Sequence, residues 1–178
     1  VQEISDDPWQ HAGLIQCCSV FPYMLPRDLT KLFKYALNRA PEVHYHLNAL
    51  PGMLPWIVRY FLNSSPEGAL RSAMAALPLI QRSLTEHEAL IAEAGVPELL
   101  RRMGWINAFR SEATLEKGIA DLERHRAYGV PGDVLDAAAI AEHEPNLSTD
   151  FAGAIHWTSP GFVPDPGGLA KAYAALFI

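Results

Sequence analysis

The chain has 178 residues, 49% of them hydrophobic and 19% charged, which is too apolar and too weakly charged for disorder and long enough for one buried core. Its 14 Lys and Arg stand against 20 Asp and Glu for a net charge of -6, with the cations scattered rather than drawn into a stripe, so nucleic acid is not an expected partner. The most apolar stretch, Leu50 to Leu62, carries Arg59 and two prolines and falls short of the roughly 20 residues that cross a bilayer, so no transmembrane segment is expected.

The chain opens on Val1-Gln2-Glu3-Ile4-Ser5, with neither an initiator Met nor the basic start and apolar run of a secretory leader. It is expected to be a piece of a longer, cytoplasmic protein, in contact with the inner membrane at most peripherally. The only cysteines, Cys17 and Cys18, are neighbours, and a disulfide between them would strain the intervening peptide. Both are expected to be reduced thiols.

Residues 8 to 26 hold three prolines and no sustained period, and are expected to be an irregular loop. Asp28 should cap a helix from Leu29 to Asn38, with Leu29, Leu32, Phe33 and Leu37 on one face. A short helix is expected from Pro55 to Leu62. The longest, Ser65 to Ala94, is announced by Ser64-Ser65-Pro66-Glu67, in which Ser64 and Glu67 form a capping box, and it should bend at Pro78. Pro97 opens a short turn ending near Gly104, Trp105 to Phe109 reads as a strand, and Ser111 caps a helix from Glu112 to Tyr128. The segment from Val130 to Asp133 reads as a turn. Asp136 caps an Ala-rich helix stopped by Pro145, Gly153 to Thr158 reads as a second strand, and Asp165-Pro166 opens a last helix. The class is α+β, helix-dominated with a few late strands, in one domain.

Enzyme motifs are sparse. The chain has no Gly-Lys-Ser phosphate loop, no Gly-x-Ser-x-Gly elbow, no His-Glu-x-x-His and no Gly-x-Gly-x-x-Gly. His44 and His46 would face one side of an extended segment, but no third ligand is near, so no metal is expected. In Glu142-His143-Glu144-Pro145 the neighbouring side chains diverge, and His87 between Glu86 and Glu88 reads as a solvated face.

Several segments, taken in order, resemble the D-amino-acid dehydrogenase and D-amino-acid oxidase family of FAD-dependent oxidoreductases. Gln10-His11-Ala12-Gly13-Leu14-Ile15 resembles its Asn-Ala-Gly loop, with His11 where Asn is usual. Pro41 to Tyr45, Leu50-Pro51 and Leu54-Pro55-Trp56 look like its proline-rich run and Pro-Trp helix. Glu144-Pro145-Asn146-Leu147 resembles its Glu-Pro-x-Leu turn, and Val163-Pro164-Asp165-Pro166-Gly167-Gly168-Leu169 its Asp-Pro-x-x-Leu segment.

The resemblance implies the middle, substrate-binding domain of such a flavoenzyme, lacking the Rossmann-like FAD domain, whose segments on both sides of the chain would be its partners in the parent. The implied reaction is oxidation of the amine-bearing carbon of a D-amino acid, with hydride passing to FAD; opine, glycine or proline oxidation is the alternative within the class. FAD is expected in the full-length parent and not bound to this chain, which alone should be inactive. Since the cofactor performs the hard step, no catalytic triad is expected. The loop His11, Ala12 and Gly13 is the implied cofactor contact. His44 and Tyr45, with His156 and Thr158 on the face that Ala154 shares, are the expected contacts to a small amino-acid substrate. The competing class is a helical interaction module without catalysis.

Overall fold

The computed structural model describes residues 13–41, 43–147 and 150–178. The chain divides into two compact units, one of Val1–Val20 with Pro78–Ile178 and one of Phe21–Leu77. The elements make the helix-dominated α+β class expected from the sequence.

The first unit is built on a three-stranded antiparallel sheet of order β2-β4-β3, where β2 is Trp105–Phe109, β3 Asp133–Leu135 and β4 Gly153–Trp157. The register sets Trp105 opposite Trp157, Asn107 opposite Ile155 and Phe109 opposite Gly153, with Val134 opposite Ile155 on the other side. Both faces of β4 are covered. Ala154 packs with Leu135 and with Ile140 of helix α5, Ala137–His143. By alternation Ile155 and Trp157 look the other way, towards α4, Glu112–Arg126, where the His125 ring meets Trp157 edge-on at 5.0 Å. Gly118 lets α4 lie close on β2, because a Cβ there would stand 2.5 Å from the Phe109 ring.

A second core lies between a two-stranded ribbon and two helices. Strand β1, Leu14–Ile15, pairs antiparallel with β5, Gly161–Phe162. Around the ribbon Ile15, Cys17, Leu84, Ile91, Val163 and Leu169 form one buried cluster, with Leu84 and Ile91 from α3, Pro66–Glu93, and Leu169 from α6, Pro166–Leu176.

The second unit, Phe21–Leu77, holds α1, Leu29–Ala36, α2, Leu50–Asn63, and the opening of α3. Arg27 lies over the Phe61 ring at 5.4 Å, the Tyr60 hydroxyl donates to Tyr23 O at 2.5 Å, and the Leu25 N–H donates to Ser64 Oγ at 3.1 Å. Neither α1 nor α2 buries a single residue.

Several expectations need correction. Leu14 and Ile15, expected in an irregular loop, form β1 because β5 supplies the ladder partner. Asp133, read as the end of a turn, opens β3. Helix α1 stops at Ala36 rather than Asn38, whose φ of 55° is left-handed and whose amide exchanges two hydrogen bonds with the Tyr45 backbone. Helix α2 starts at Leu50 rather than Pro55, since a 3-10 turn at Leu47–Ala49 already winds the chain. The cap of α3 is Ser65, which accepts from Gly68 N at 3.0 Å, whereas Ser64 is drawn off to Tyr60 O and Leu25 N. Pro78 stands inside α3, and the two units divide there. Helix α4 ends at Arg126 and β4 at Trp157, leaving Tyr128 and Thr158 outside.

Leu122 is fully buried at 0% exposure while Leu29 is 81% exposed, so the two should respond differently to truncation. Leu122→Ala should cost about 3 kcal/mol and Leu29→Ala less than about 0.5 kcal/mol, read from the urea unfolding midpoint. Equal losses at the two sites would show that the sheet unit is not the cooperative core.

Candidate functional site

The loop entering β1 is fixed by backbone rather than side chains. Gly13 has φ of 63°, a region open to glycine, and its carbonyl accepts from Val163 N at 2.6 Å. A Cβ at Gly13 would lie 2.5 Å from Val163 O. One step further the ladder pairs Leu14 with Phe162, and Phe162 exchanges two 2.8 Å backbone bonds with Arg101. Asp165 then caps α6, accepting from Gly168 N at 2.8 Å with Pro166 beside it. The segments around Gly13 and around Val163 to Leu169, far apart in sequence, are thus one joined feature. His11 and Ala12 lie outside the described residues.

A cavity of about 410 Å³ lies against this feature, lined by Gly13 to Gln16, Ser83, His87, Val163, Pro166, Leu169 and Tyr173. Its polar end is His87 Nδ1 paired with the Tyr173 hydroxyl at 2.9 Å, the rings stacked at 5.8 Å. Burial pushes the Tyr173 hydroxyl above the ordinary phenol value of 10.0. His87, expected on a solvated face, is half-buried and partnered. The signal was present: His87 falls on the face of α3 that carries Leu84 and Ile91, at steps of three and four.

Beside the ribbon, Cys17 and Cys18 are buried free thiols. The Trp105 indole N–H donates to Cys18 Sγ at 3.5 Å, and burial pushes the Cys18 thiol above its ordinary value of 9.0.

The expected substrate contacts fall in different places. On β4 the face of Ala154 is core, but the next residue on that face, His156, is half-buried, with Nε2 3.1 Å from Met103 O and its ring 5.1 Å from that of His143. Thr158 is exposed beyond the strand. His44 and Tyr45 belong to the other unit. The Tyr45 hydroxyl donates to Ala36 O at 2.6 Å, and His44 is exposed with its ring 6.0 Å from that of His46. Among the described residues no three His, Cys, Asp or Glu gather as a metal requires.

Residues 34–178 match the DAO family, described as FAD dependent oxidoreductase, and the chain belongs to that family. It is 28% identical over 165 residues to a D-amino-acid oxidase of Bradyrhizobium diazoefficiens, covering 92% of this chain and 39% of that protein. It is 35% identical over 103 residues to a D-amino acid dehydrogenase of Xylella fastidiosa, covering 56% of this chain and 24% of that one. Among solved structures it is similar to a glycine oxidase of Geobacillus kaustophilus, 26% identical with a TM-score of 0.46, covering 56% of this chain and 28% of that one. The chain therefore spans less than two-fifths of the length of these relatives.

Two outcomes follow from this geometry. Gly13→Ala should lose about 2–3 kcal/mol, since the left-handed backbone and the approach of Val163 O are both violated; an unchanged melting midpoint would show that the loop relaxes freely. The raised Cys18 thiol stabilises the fold fully below the ordinary value of 9.0, and that stability is lost as pH rises through the folded value. Unfolding midpoints should fall on the alkaline side in the native chain and fall less in Cys18→Ser. Identical pH profiles would contradict the assignment.

Proposed function

We propose that this chain is the substrate-side portion of an FAD-dependent oxidoreductase that oxidises the amine-bearing carbon of a D-amino acid or a similar amino acid. Supporting this reading is the joining of two family-like segments through the Gly13 and Val163 backbone, which sets Gly13, the described residue of the implied flavin loop, close to the segment that leads into α6. The family's described dependence on FAD, and relatives named for D-amino-acid oxidation, agree with it.

The described residues fit only part of such a cofactor. A dinucleotide pyrophosphate rests on free N–H groups at a helix N-terminus. At five of the six described helices one of those donors is taken by the chain's own side chain, Asp28 at α1, Ser65 at α3, Ser111 at α4, Asp136 at α5 and Asp165 at α6, while α2 has no side-chain cap and carries Pro51 in its first turn. Even α6, which opens on Pro166-Gly167-Gly168, carries the Asp165 carboxylate where a phosphate would sit. This reading assigns the pyrophosphate to other segments of the parent. The Gly13 loop remains for the edge of the cofactor, and His44, Tyr45, His156 and Thr158 remain for orienting the substrate and excluding water.

This reading predicts that the chain, purified alone, folds but is colourless and inactive towards D-amino acids. Circular dichroism should report helix while calorimetric titration with FAD gives no stoichiometric binding, because a loop and one wall do not offset the entropy of fixing so large a ligand. The protein from the natural reading frame should carry flavin absorbance and reduce an artificial electron acceptor when given a D-amino acid. Tight FAD binding by the isolated chain would overturn the division of labour. Absence of both flavin and turnover in the full reading frame would favour a non-catalytic module.

A further inference from the structure

The cavity of about 410 Å³ against the ribbon has the size of a small-molecule site, and its whole lining comes from one unit. Its wall is apolar, built from Leu14, Val163, Pro166, Leu169 and Ala170, and among the described residues no Asp, Glu, Lys or Arg lines it. Of its polar groups, Ser83 already donates to Ile80 O at 2.8 Å and Gln16 accepts from Ser19. What remains is His87 Nδ1 and the Tyr173 hydroxyl, 2.9 Å apart, with His87 Nε2 unpartnered among the described residues. The same hydroxyl lies 3.3 Å from His87 O, longer than a normal O–H···O bond, so that carbonyl does not hold its proton.

A proton count shows what the pair has to offer. While His87 is neutral, one proton lies between Nδ1 and the Tyr173 oxygen in either tautomer, and a single donor faces outward, Nε2–H or the hydroxyl. Once His87 is protonated, Nδ1–H donates to the Tyr173 oxygen, and both Nε2–H and the hydroxyl are free to donate. Burial, which pushes Tyr173 above its ordinary 10.0, keeps it a hydroxyl throughout. We infer that the cavity binds a small monocarboxylate with an apolar body, whose two oxygens accept from His87 Nε2–H and the Tyr173 hydroxyl while the body lies on the apolar wall. An imidazolium beside such a wall is costly unless it is paired, so anion and proton enter together. The surrounding charges do not serve as its counter-ion: on α3 Glu86 pairs with Arg82 and Glu88 with Arg102, on α6 Asp165 accepts from Gly168 N and Lys171 is exposed, and β1 carries none. A cationic ligand would meet no carboxylate in the lining, and a neutral amide would leave the imidazolium unpaired. The inference does not depend on the proposed oxidation.

The test is calorimetric titration of the chain, and of the full reading frame, with 4-methylpentanoate at pH 6 and pH 8, where the probe is ionised and between which histidine changes charge. Acetate, which lacks the apolar body, and 4-methylpentanamide, which lacks the charge, are the controls. Both proteins should bind the acid at least about tenfold more tightly at pH 6 than at pH 8, and about tenfold more tightly at pH 6 than either control. Titration in two buffers of different ionisation enthalpy should show proton uptake with the ligand at pH 8. His87→Gln should abolish the pH dependence, and Tyr173→Phe should weaken binding about fivefold and keep it, with circular dichroism unchanged. No binding at pH 6, equal affinity at the two pH values, or an amide bound as tightly as the acid would overturn the inference, whether or not either variant folds. Binding by the chain but not by the full reading frame would overturn it too, since other segments of the protein would then fill the cavity.

Discussion

The hydrogen bond from Val163 N to Gly13 O is the constraint on which the sheet unit depends. It fixes the start of β1, and through β1 the position of β5 and the entry into α6. A glycine is required because the backbone turns left-handed and comes too close to Val163 O for any side chain. Once the ribbon is set, Ile15, Val163 and Leu169 share the cluster into which Leu84 and Ile91 pack. The cavity with His87 and Tyr173 is what remains between these elements. A backbone contact thus determines where the polar groups of this region can stand, which is the usual way for a scaffold to hold a site.

Much of the fold was legible because it follows from local chemistry. Ser111, Asp136 and Asp165 are caps whose side chains accept from the N–H three residues on, a bond made within one turn and independent of the remainder of the chain. Strand β2 was legible because Trp105 to Phe109 combines β-branched and aromatic residues between two glycine and serine breaks. What escaped was whatever needed a distant partner. Two-residue strands such as β1 and β5 have no period to detect, and β3 exists because β4 lies beside it. The displaced cap of α3 has in part the same origin, since Ser64 is held by the distant Leu25 N–H as well as by Tyr60 O one turn back, which leaves Ser65 to cap the helix.

The candidate site was less legible than the fold, for a related reason. Resemblance to a family named segments, and the joined pair around Gly13 and Val163 lies in two of them. It did not reveal His87 or Tyr173, which belong to helices whose sequence is ordinary. Nor did alternation along β4 distinguish Ala154, buried under α5, from His156 and Thr158 near and beyond the strand's end, because a period of two assigns a face and not a depth.

Composition taken over the whole chain conceals a difference between its two units. A net charge of -6 with scattered cations describes an average over two units of opposite sign. Screened electrostatics act over roughly 10 Å at moderate salt, so a surface responds to the charge of its own unit and hardly to the chain's total. The same averaging hides the apolar surface: a chain that is 49% hydrophobic looks like an ordinary globule, yet the sheet unit buries Leu84, Ile91, Leu115, Leu122 and Ile155 while α1 and α2 bury no residue. An exposed apolar face is costly for an isolated unit in water.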